Sequence, residues 1–275
     1  MLNLKETLNI KEQYMASGLL KDKKYFILDM DGTFYLGNRL LEGSLDFIRQ
    51  VEKTGRGFLF FTNNSSKNSG VYAEKLAGMG LTIDKSRVVT SGMVTARYLK
   101  TRWEKPKVYL LGTPMLEEDF KARGIVLTGD GPDAVVAGFD TTIDYEKLSL
   151  ACTLIRKGVP FIATHPDLNC PTEDGFIPDC GAICAFITAS TGVKPKYLGK
   201  PYTETLDFIL EYLNCTREDI VFVGDRLYTD IAIGARHGVF SVLVLTGETR
   251  PEDLAASDIK PTLVTGCLAD LAAFL

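Results

Sequence analysis

The sequence predicts an α/β protein whose core is a doubly wound sheet of parallel strands. Short apolar runs recur along the 275 residues without the polar alternation of a half-exposed strand, which indicates strands covered on both faces. Amphipathic stretches of helical period separate these runs, as in parallel sheets with right-handed crossovers. Acidic and hydroxyl side chains directly follow three of the runs, at the position where open α/β sheets bind their ligands.

Seven apolar runs are predicted as strands and five amphipathic stretches as helices. The predicted strands are Tyr25–Leu28, Gly57–Phe61, Val108–Leu111, Ala134–Ala137, Pro160–Ala163, Ile220–Val223 and Ser241–Leu245. The predicted helices are Ser44–Lys53, Tyr72–Met79, Met115–Arg123, Tyr145–Lys157 and Thr203–Leu213.

Composition and charge exclude several classes of protein. Hydrophobic residues make up 45% and charged residues 24% of the chain, and the net charge of -4 does not favour non-specific nucleic-acid binding. No stretch approaches the roughly 20 apolar residues of a membrane span. Residues 1–24, expected to form an N-terminal helical extension, are charged and lack the apolar run of a signal peptide. We therefore expect a cytoplasmic protein without nucleic-acid or membrane partners.

The cysteines and histidines do not favour a zinc site. The six cysteines form no C-x-x-C pair, and the chain has only two histidines, His165 and His237. We expect the cysteines to be reduced thiols that pack as small apolar groups.

Acidic and hydroxyl residues that could take part in catalysis follow three of the predicted strands. The residues that follow them are Asp29-Met30-Asp31-Gly32-Thr33, Thr62-Asn63-Asn64-Ser65-Ser66, and Gly224-Asp225-Arg226 with Thr229-Asp230 beyond. Because Asp29 and Asp31 flank one residue of an extended segment, their side chains point the same way. Carboxylates held close together repel each other, and a hard dication such as Mg²⁺, bound through oxygen ligands, would relieve that repulsion.

Phosphoryl transfer uses such a set of residues. It needs an in-line nucleophile, positive charge around the phosphoryl oxygens and a proton for the leaving oxygen. Asp29 can be the nucleophile and Asp31 the acid and base. Thr62 and the backbone N–H groups near Asn63 can donate to phosphoryl oxygens, and Lys200 offers a cation.

Each motif alone has a simpler explanation. D-x-D-G-T is commonly a turn or a calcium-binding type of loop, T-N-N-S-S a polar loop or helix cap, and Gly199-Lys200-Pro201 a surface turn. Gly199-Lys200 is also not a Walker A loop, because Pro201 stands where that motif has Ser or Thr. The joint occurrence of the motifs in this order favours the catalytic interpretation.

The ordered set resembles the haloacid dehalogenase-like (HAD) hydrolase superfamily. There, D-x-D-G-T, a strand-end Thr, a Lys and G-D-x-x-x-D are the four motifs. The stretches Phe61–Ser65 and Gly224–Ile231 are most similar to subclass IIA, the branch of 4-nitrophenyl phosphatases and NagD-like phosphatases. The resemblance extends from about Tyr25 to the C-terminus. It implies a Rossmann-like core with an inserted α/β cap domain at residues 84–190, the core being residues 1–83 and 191–275.

Site residues are carried over from the resemblance position by position. It implies Asp29 as nucleophile, Asp31 as acid and base, and Mg²⁺ held by the Asp29 carboxylate, the Asp31 backbone carbonyl and Asp225. The further implied residues are Thr62, Asn63 and Lys200 for the phosphate, Arg226 to orient Asp225 or the substrate, and Asp230 as an acid that lies behind the direct ligands or acts through water. Independently of the resemblance, Thr33 can hydrogen-bond to hold the turn.

One departure from the pattern concerns the substrate. Where this branch has Ala-Thr-Asn-x-Asp, the present sequence has His165 in place of Asn. Either His165 is a polar residue that ends a strand, or it contacts the leaving group together with the loop 166–179.

The sequence leaves other functions open. The main expectation is a phosphatase that acts on a small phosphorylated metabolite through an aspartyl-phosphate. The first alternative is a phosphotransferase or phosphomutase on the same scaffold, because the same intermediate permits transfer to another acceptor. The second is a non-catalytic protein that binds a phosphate ligand. Caps in this branch can pair, so a homodimer also stays open.

Overall fold

The computed structural model describes Gly18, residues 20–172 and residues 175–275. The chain divides into two compact units. Unit 1 comprises Met1–Phe61, Lys75–Ile83 and Ile209–Leu275, and unit 2 comprises Thr62–Glu74 and Asp84–Phe208. The helical extension expected at residues 1–24 lies for the most part outside the described residues. The expected core and cap boundaries at residues 84 and 190 stay a prediction.

Strands are numbered along the chain. They are β1 (Tyr25–Leu28), β2 (Tyr35–Leu36), β3 (Arg39–Leu40), β4 (Gly57–Thr62), β5 (Val88–Thr90), β6 (Lys107–Leu111), β7 (Val126–Leu127), β8 (Ala134–Ala137), β9 (Phe161–Ala163), β10 (Asn169–Thr172), β11 (Gly175–Pro178), β12 (Lys196–Tyr197), β13 (Ile220–Gly224), β14 (Phe240–Val244) and β15 (Leu263–Thr265).

Helices are numbered in the same way. They are α1 (Ser44–Lys53), α2 (Ser69–Gly78), α3 (Ser91–Arg102), α4 (Pro114–Ala122), α5 (Tyr145–Arg156), α6 (Cys180–Thr191), α7 (Thr203–Leu213), α8 (Ala232–His237), α9 (Pro251–Ala256) and α10 (Leu268–Ala272). Short 3₁₀ turns cover Lys85–Arg87 and Arg217–Asp219, and a π-helical turn covers Leu227–Ile231.

In unit 1, β1 lies between β13 and β4, and β14 and β15 continue the sheet beyond β13. All of these neighbours are parallel, and Leu28 of β1 is in register with Val223 of β13. The strand interiors are buried, which explains why the sequence shows unbroken apolar runs.

In unit 2, a second parallel sheet has the order β12-β9-β8-β6-β7. Successive residues of β8 point to opposite faces, and both faces are covered. Val135 and Ala137 pack with α5 and α6, whereas Ala134 and Val136 pack with residues of α3 and α4. The predicted α/β class with doubly wound parallel sheets is therefore confirmed.

The structure also contains elements that the sequence did not predict. Helices α3 and α6 were missed, because neither segregates its apolar residues to one face; α6 is apolar or small over most of its length. Two short antiparallel hairpins, β2–β3 and β10–β11, were missed as well. None of the helices in the described part of the chain has the length and apolar character that crossing a membrane requires.

Candidate active site

Asp29 and Asp225, two of the predicted site residues of unit 1, lie close together because β1 and β13 are neighbouring strands. Asp29 follows β1, Asp225 follows β13, and the Asp29 N–H donates to the carbonyl of Val223 at 2.9 Å. Parallel strands present their carboxyl ends to one edge of the sheet. The pairing therefore brings together two acids that are separated by almost two hundred residues.

A third carboxylate completes this acidic cluster. Oxygen atoms of Asp29, Asp225 and Asp230 all lie within 4.8 Å of one another. Asp225 and Asp230 are each only 2% exposed. Burial, followed by the charge of Asp230, raises the pKa of Asp225 from 3.8 to about 6, although the charge of Arg226 opposes that rise. The cluster therefore holds its negative charge at a cost in free energy.

Two hydrogen-bond donors and two glycines fix Asp225. The Thr33 hydroxyl donates to its Oδ1 at 3.1 Å, and the Glu248 N–H donates to its Oδ2 at 2.7 Å. Gly32 has a φ of 84°, and a Cβ there would lie 2.5 Å from Oδ2. A Cβ at Gly247 would overlap the same carboxylate. Only glycine allows the backbone to approach Asp225 this closely.

The loop after β1 also places Asp31. Its carboxylate is half-buried and accepts a hydrogen bond from the hydroxyl of Tyr35 at 3.4 Å. The loop is tied to the segment after β14, since the Thr246 hydroxyl donates to the Gly32 carbonyl at 2.7 Å. Asp31 therefore lies two residues after Asp29, in the same unit as the acidic cluster.

The π-helical turn after β13 places Asp230. Its Oδ2 accepts the N–H of Arg226 at 3.1 Å, and a Cβ on Gly224 would collide with it. The side chain of Arg226 forms an ion pair with Glu248, with 2.9 Å between Nε and Oε2. Asp230 was expected to lie behind the direct ligands or to act through water, and its carboxylate lies within the same 4.8 Å group as Asp29 and Asp225.

The acidic cluster fits a divalent cation. Its donors are carboxylate oxygens, the ligands that hard cations such as Mg²⁺ prefer. Burial, followed by repulsion from Asp230, raises the pKa of Asp225, and a bound dication would offset both effects. In unit 1, Asp29, Asp225 and Asp230 could hold it; in unit 2, His165, Asp167 and Asp179 form a second group whose ligand atoms lie as close together.

Thr62, Asn63 and Lys200, the predicted phosphate-binding residues, belong to unit 2. The Asn63 side chain forms two hydrogen bonds with the backbone of Lys200. Its Oδ1 accepts the Lys200 N–H at 2.8 Å, and its Nδ2 donates to the Lys200 carbonyl at 3.1 Å. Nδ2 also donates to Asp167 at 3.2 Å. The Thr62 hydroxyl accepts the N–H of Asn64 at 3.1 Å. The Asn63 side chain therefore fixes the backbone of Lys200.

His165 also belongs to unit 2 and is fully buried. Its Nε2 lies 2.8 Å from Asp179 Oδ1, and its Nδ1 lies 2.9 Å from the Thr164 hydroxyl and 3.4 Å from the Ser91 hydroxyl. Both ring nitrogens thus face protein groups. The predicted contact of His165 with a leaving group stays a prediction, and this geometry does not favour it.

Several of these residues were not assigned a role from the sequence. They are Ser91, Asp167, Asp179, Thr246 and Glu248. For Thr246 and Glu248 a signal existed, since both follow the predicted strand Ser241–Leu245 and the strand-end rule applies to them too. Ser91, Asp167 and Asp179 act through partners distant in sequence, which no local pattern indicates.

Each unit by itself contains groups that phosphoryl chemistry uses. Unit 1 has the carboxylate oxygens of the acidic cluster, and unit 2 has a buried lysine whose backbone is fixed.

Comparison with known proteins agrees with this chemistry. A family model described as haloacid dehalogenase-like hydrolase matches residues 26–126, and a second, described as HAD-hydrolase-like, matches residues 197–271. An acid sugar phosphatase of Staphylococcus saprophyticus is 37% identical over 88% of this chain and 94% of its own length. The 5'-nucleotidase YutF of Bacillus subtilis is 34% identical over 88% of this chain and 95% of its own.

A solved structure is similar over the same region. The 4-nitrophenylphosphatase from Thermotoga maritima superposes with a TM-score of 0.90 and is 48% identical, covering 92% of this chain and 98% of its own.

Proposed function

The chain is a phosphoric monoester hydrolase of the haloacid dehalogenase-like family, subclass IIA, and from this premise we propose that it uses bound Mg²⁺ and forms an aspartyl-phosphate on Asp29. The observation that supports the proposal is the acidic cluster of Asp29, Asp225 and Asp230, whose oxygens lie within 4.8 Å of one another beyond two adjacent parallel strands.

We propose that Asp29 and Asp31 share the chemical steps. An oxygen of Asp29 attacks phosphorus as the P–O bond of the ester breaks, and Asp31 gives its proton to the departing oxygen. Asp31 then takes a proton from water, which attacks the aspartyl-phosphate and releases inorganic phosphate. The hydroxyl of Tyr35, which donates to Asp31 at 3.4 Å, would help to orient its carboxylate for both transfers.

We propose that Lys200, Thr62 and the backbone N–H groups near Asn63 hold the phosphoryl oxygens. Lys200 is 2% exposed, so its charge is poorly screened by solvent. The Asn63 side chain fixes the Lys200 backbone through two hydrogen bonds and thereby limits the positions of that charge. A bound Mg²⁺ would neutralise the carboxylates and withdraw charge from the phosphoryl oxygens.

We propose a small phosphorylated metabolite as the substrate. The relatives named above are an acid sugar phosphatase, a 5'-nucleotidase and a 4-nitrophenylphosphatase, whose names indicate three kinds of leaving group. Sugar phosphates and nucleoside monophosphates are therefore the first compounds to test, with 4-nitrophenyl phosphate as a general reporter.

The decisive experiment compares two Asp→Asn variants. Asp29→Asn removes the nucleophile and should abolish Mg²⁺-dependent phosphate release, while circular dichroism shows an intact fold. Asp46→Asn, at a carboxylate on α1 whose side chain is 78% exposed, is the matched control and should keep wild-type activity. Turnover by Asp29→Asn would refute the assignment of the nucleophile.

A trapping experiment tests the intermediate itself. Wild-type protein quenched in acid during turnover should carry phosphate that neutral hydroxylamine removes, as expected of an acyl phosphate, and mass spectrometry should place it on Asp29. Transfer to an added sugar, in place of phosphate release, would instead identify a phosphotransferase, because both reactions share this intermediate.

We also propose a cytoplasmic location. All six cysteines are free thiols, as is usual in a reducing compartment. Fractionation of the native cells should find the protein with cytoplasmic markers. The homodimer stays a prediction, which size-exclusion chromatography with light scattering would test.

A further inference from the structure

A network of buried polar side chains surrounds His165 in unit 2. His165 is 0% exposed, and Asp167 and Asp179 are each 3% exposed. Asp179 also caps helix α6, because its Oδ1 accepts the N–H of Cys180 at 2.6 Å. Burying two carboxylates is costly unless a positive charge accompanies them.

Hydrogen-bond geometry indicates the protonation of the imidazole. Nε2 lies 2.8 Å from a carboxylate oxygen of Asp179, which can only accept, so Nε2 carries a proton. The hydroxyl of Ser91 gives its one proton to the carbonyl of Asn63 and turns a lone pair towards Nδ1. A proton on Nδ1 satisfies that lone pair and the Thr164 oxygen at 2.9 Å. The Thr164 hydroxyl can accept this proton or donate its own to an unprotonated Nδ1, so the contacts are compatible with a ring that donates from both nitrogens.

The charges near the ring agree with this protonation. Burial alone would lower the pKa of His165. The charge of Asp179 and its hydrogen bond, together with Cys180 and Asp167, outweigh burial and raise the pKa from 6.5 to about 9.

The same network reaches the residues proposed to bind phosphate. Ser91, which contacts the ring, donates to the carbonyl of Asn63, and Asn63 holds both backbone polar groups of Lys200. Gly199 lies directly against His165, because a Cβ added to Gly199 would approach the His165 Cβ to 2.9 Å and Asn63 Oδ1 to 2.8 Å. His165 thus supports the Gly199-Lys200 turn from behind.

We propose that His165 is a positioning residue that stays positively charged and, by holding Ser91, Asp179 and the Gly199 turn, fixes Asn63 and Lys200 in the geometry that receives a phosphoryl group. The proposal rests on the function proposed above for Lys200. It assigns His165 no contact with the substrate.

The first test measures the charge of His165 directly. With only two histidines in the chain, ¹⁵N-histidine NMR gives two imidazoles, and a His237→Gln variant identifies His165. At about pH 7, near the ordinary histidine pKa, both His165 nitrogens should show imidazolium shifts. Asp179→Asn, which keeps a good helix cap but removes the counter-charge, should convert the ring to a neutral tautomer. A neutral His165 in the wild type would overturn the proposal.

The second test separates positioning from folding. His165→Ala should lower kcat/KM by about tenfold or more, and weaken inhibition by inorganic phosphate in parallel, because a misplaced phosphate-binding group loses much of its effect. Ile187→Ala, a fully buried change on α6 outside the network, should lower the Tm but keep kcat/KM and phosphate inhibition. Equal phosphate inhibition in His165→Ala and wild type would overturn the proposal.

The two tests also distinguish this inference from the proposed function. If the wild type releases no phosphate from any ester, the proposed function fails, while the NMR result still decides whether His165 carries the charge.

Discussion

The two units both bury carboxylates, but they compensate them in opposite ways. In unit 1, Asp225 is held by a hydroxyl and a backbone N–H, and the charge of Arg226 offsets only part of the effect of burial and of Asp230. In unit 2, Asp179 faces the imidazole of His165 at 2.8 Å. The first cluster is suited to accept a cation from solution, whereas the second contains its own.

This difference has a physical consequence for stability. The acidic cluster should be strained without metal, because burial and the charge of Asp230 disfavour the ionised form of Asp225 and raise its pKa. The His165 network should be stable without any ligand, because the imidazole of His165 compensates the charge of Asp179 within the chain. Substitutions, added metal and changes of pH should therefore affect the acidic cluster and the His165 network differently.

The largest expected effect comes from a matched pair of substitutions, Asp225→Asn and Asp179→Asn. Asp225→Asn should lower kcat by about a hundredfold or more, because it removes a proposed metal ligand. In EDTA it should raise stability by about 1–3 kcal/mol, because it removes a strained buried charge. Asp179→Asn should instead cost about 3 kcal/mol, because it breaks the buried ion pair and His165, having lost its counter-charge, must give up its proton. Urea unfolding in EDTA measures both; the same sign for the two variants would contradict the comparison.

Adding metal should stabilise the protein through unit 1 by about 3 kcal/mol when Mg²⁺ exceeds its Kd about a hundredfold. Because the pKa of Asp225 is raised to about 6, a proton competes with the ion below that pH. The Tm difference between Mg²⁺ and EDTA should therefore be largest above pH 6 and shrink as the pH falls through it. A difference independent of pH would argue against Asp225 as a ligand.

The His165 network should show the opposite dependence on pH. A raised folded-state pKa contributes stability that is complete below 6.5 and lost as the pH rises through about 9. Cys180 would mask this loss, since the hydrogen bond from Cys184 and the charge of His165 outweigh burial and bring its pKa from 9.0 to about 7. The measurement therefore uses Cys180→Ala, in which the decline should be about 1–3 kcal/mol.

Adding His165→Asn to Cys180→Ala is the control for that decline. The double variant should unfold in urea with a free energy that changes little over the same pH range. An equal decline in both proteins would assign the pH dependence to another group.

The smallest effect is expected at the hydroxyl that orients Asp225. Thr33→Val removes the 3.1 Å hydrogen bond and should cost about 1 kcal/mol of stability in the presence of Mg²⁺. Thr33→Ser keeps the hydroxyl and should restore most of that loss. If Thr33→Val keeps the wild-type Tm and only Thr33→Ser lowers it, the packing of the methyl group, and not the hydrogen bond, is responsible.

Local sequence was sufficient for elements whose burial follows a simple period. Strand β1 and helices α1 and α7 were predicted with the bounds observed, because an unbroken apolar run and an amphipathic repeat need no distant partner. Helices α3 and α6 could not be predicted in this way, because each is buried by packing that its own residues do not encode as a stripe.

The sequence by itself determined which chemistry is available: paired acids after a buried strand, a second acid after another, and the order of motifs that indicates the family. Only the tertiary structure decided that Asp230 joins the acidic cluster, that Asn63 grips Lys200, and that His165 is enclosed between Ser91 and Asp179. The reason is physical. The charge state of a buried group depends on partners that can lie more than a hundred residues away, and those partners become neighbours only when the sheets assemble.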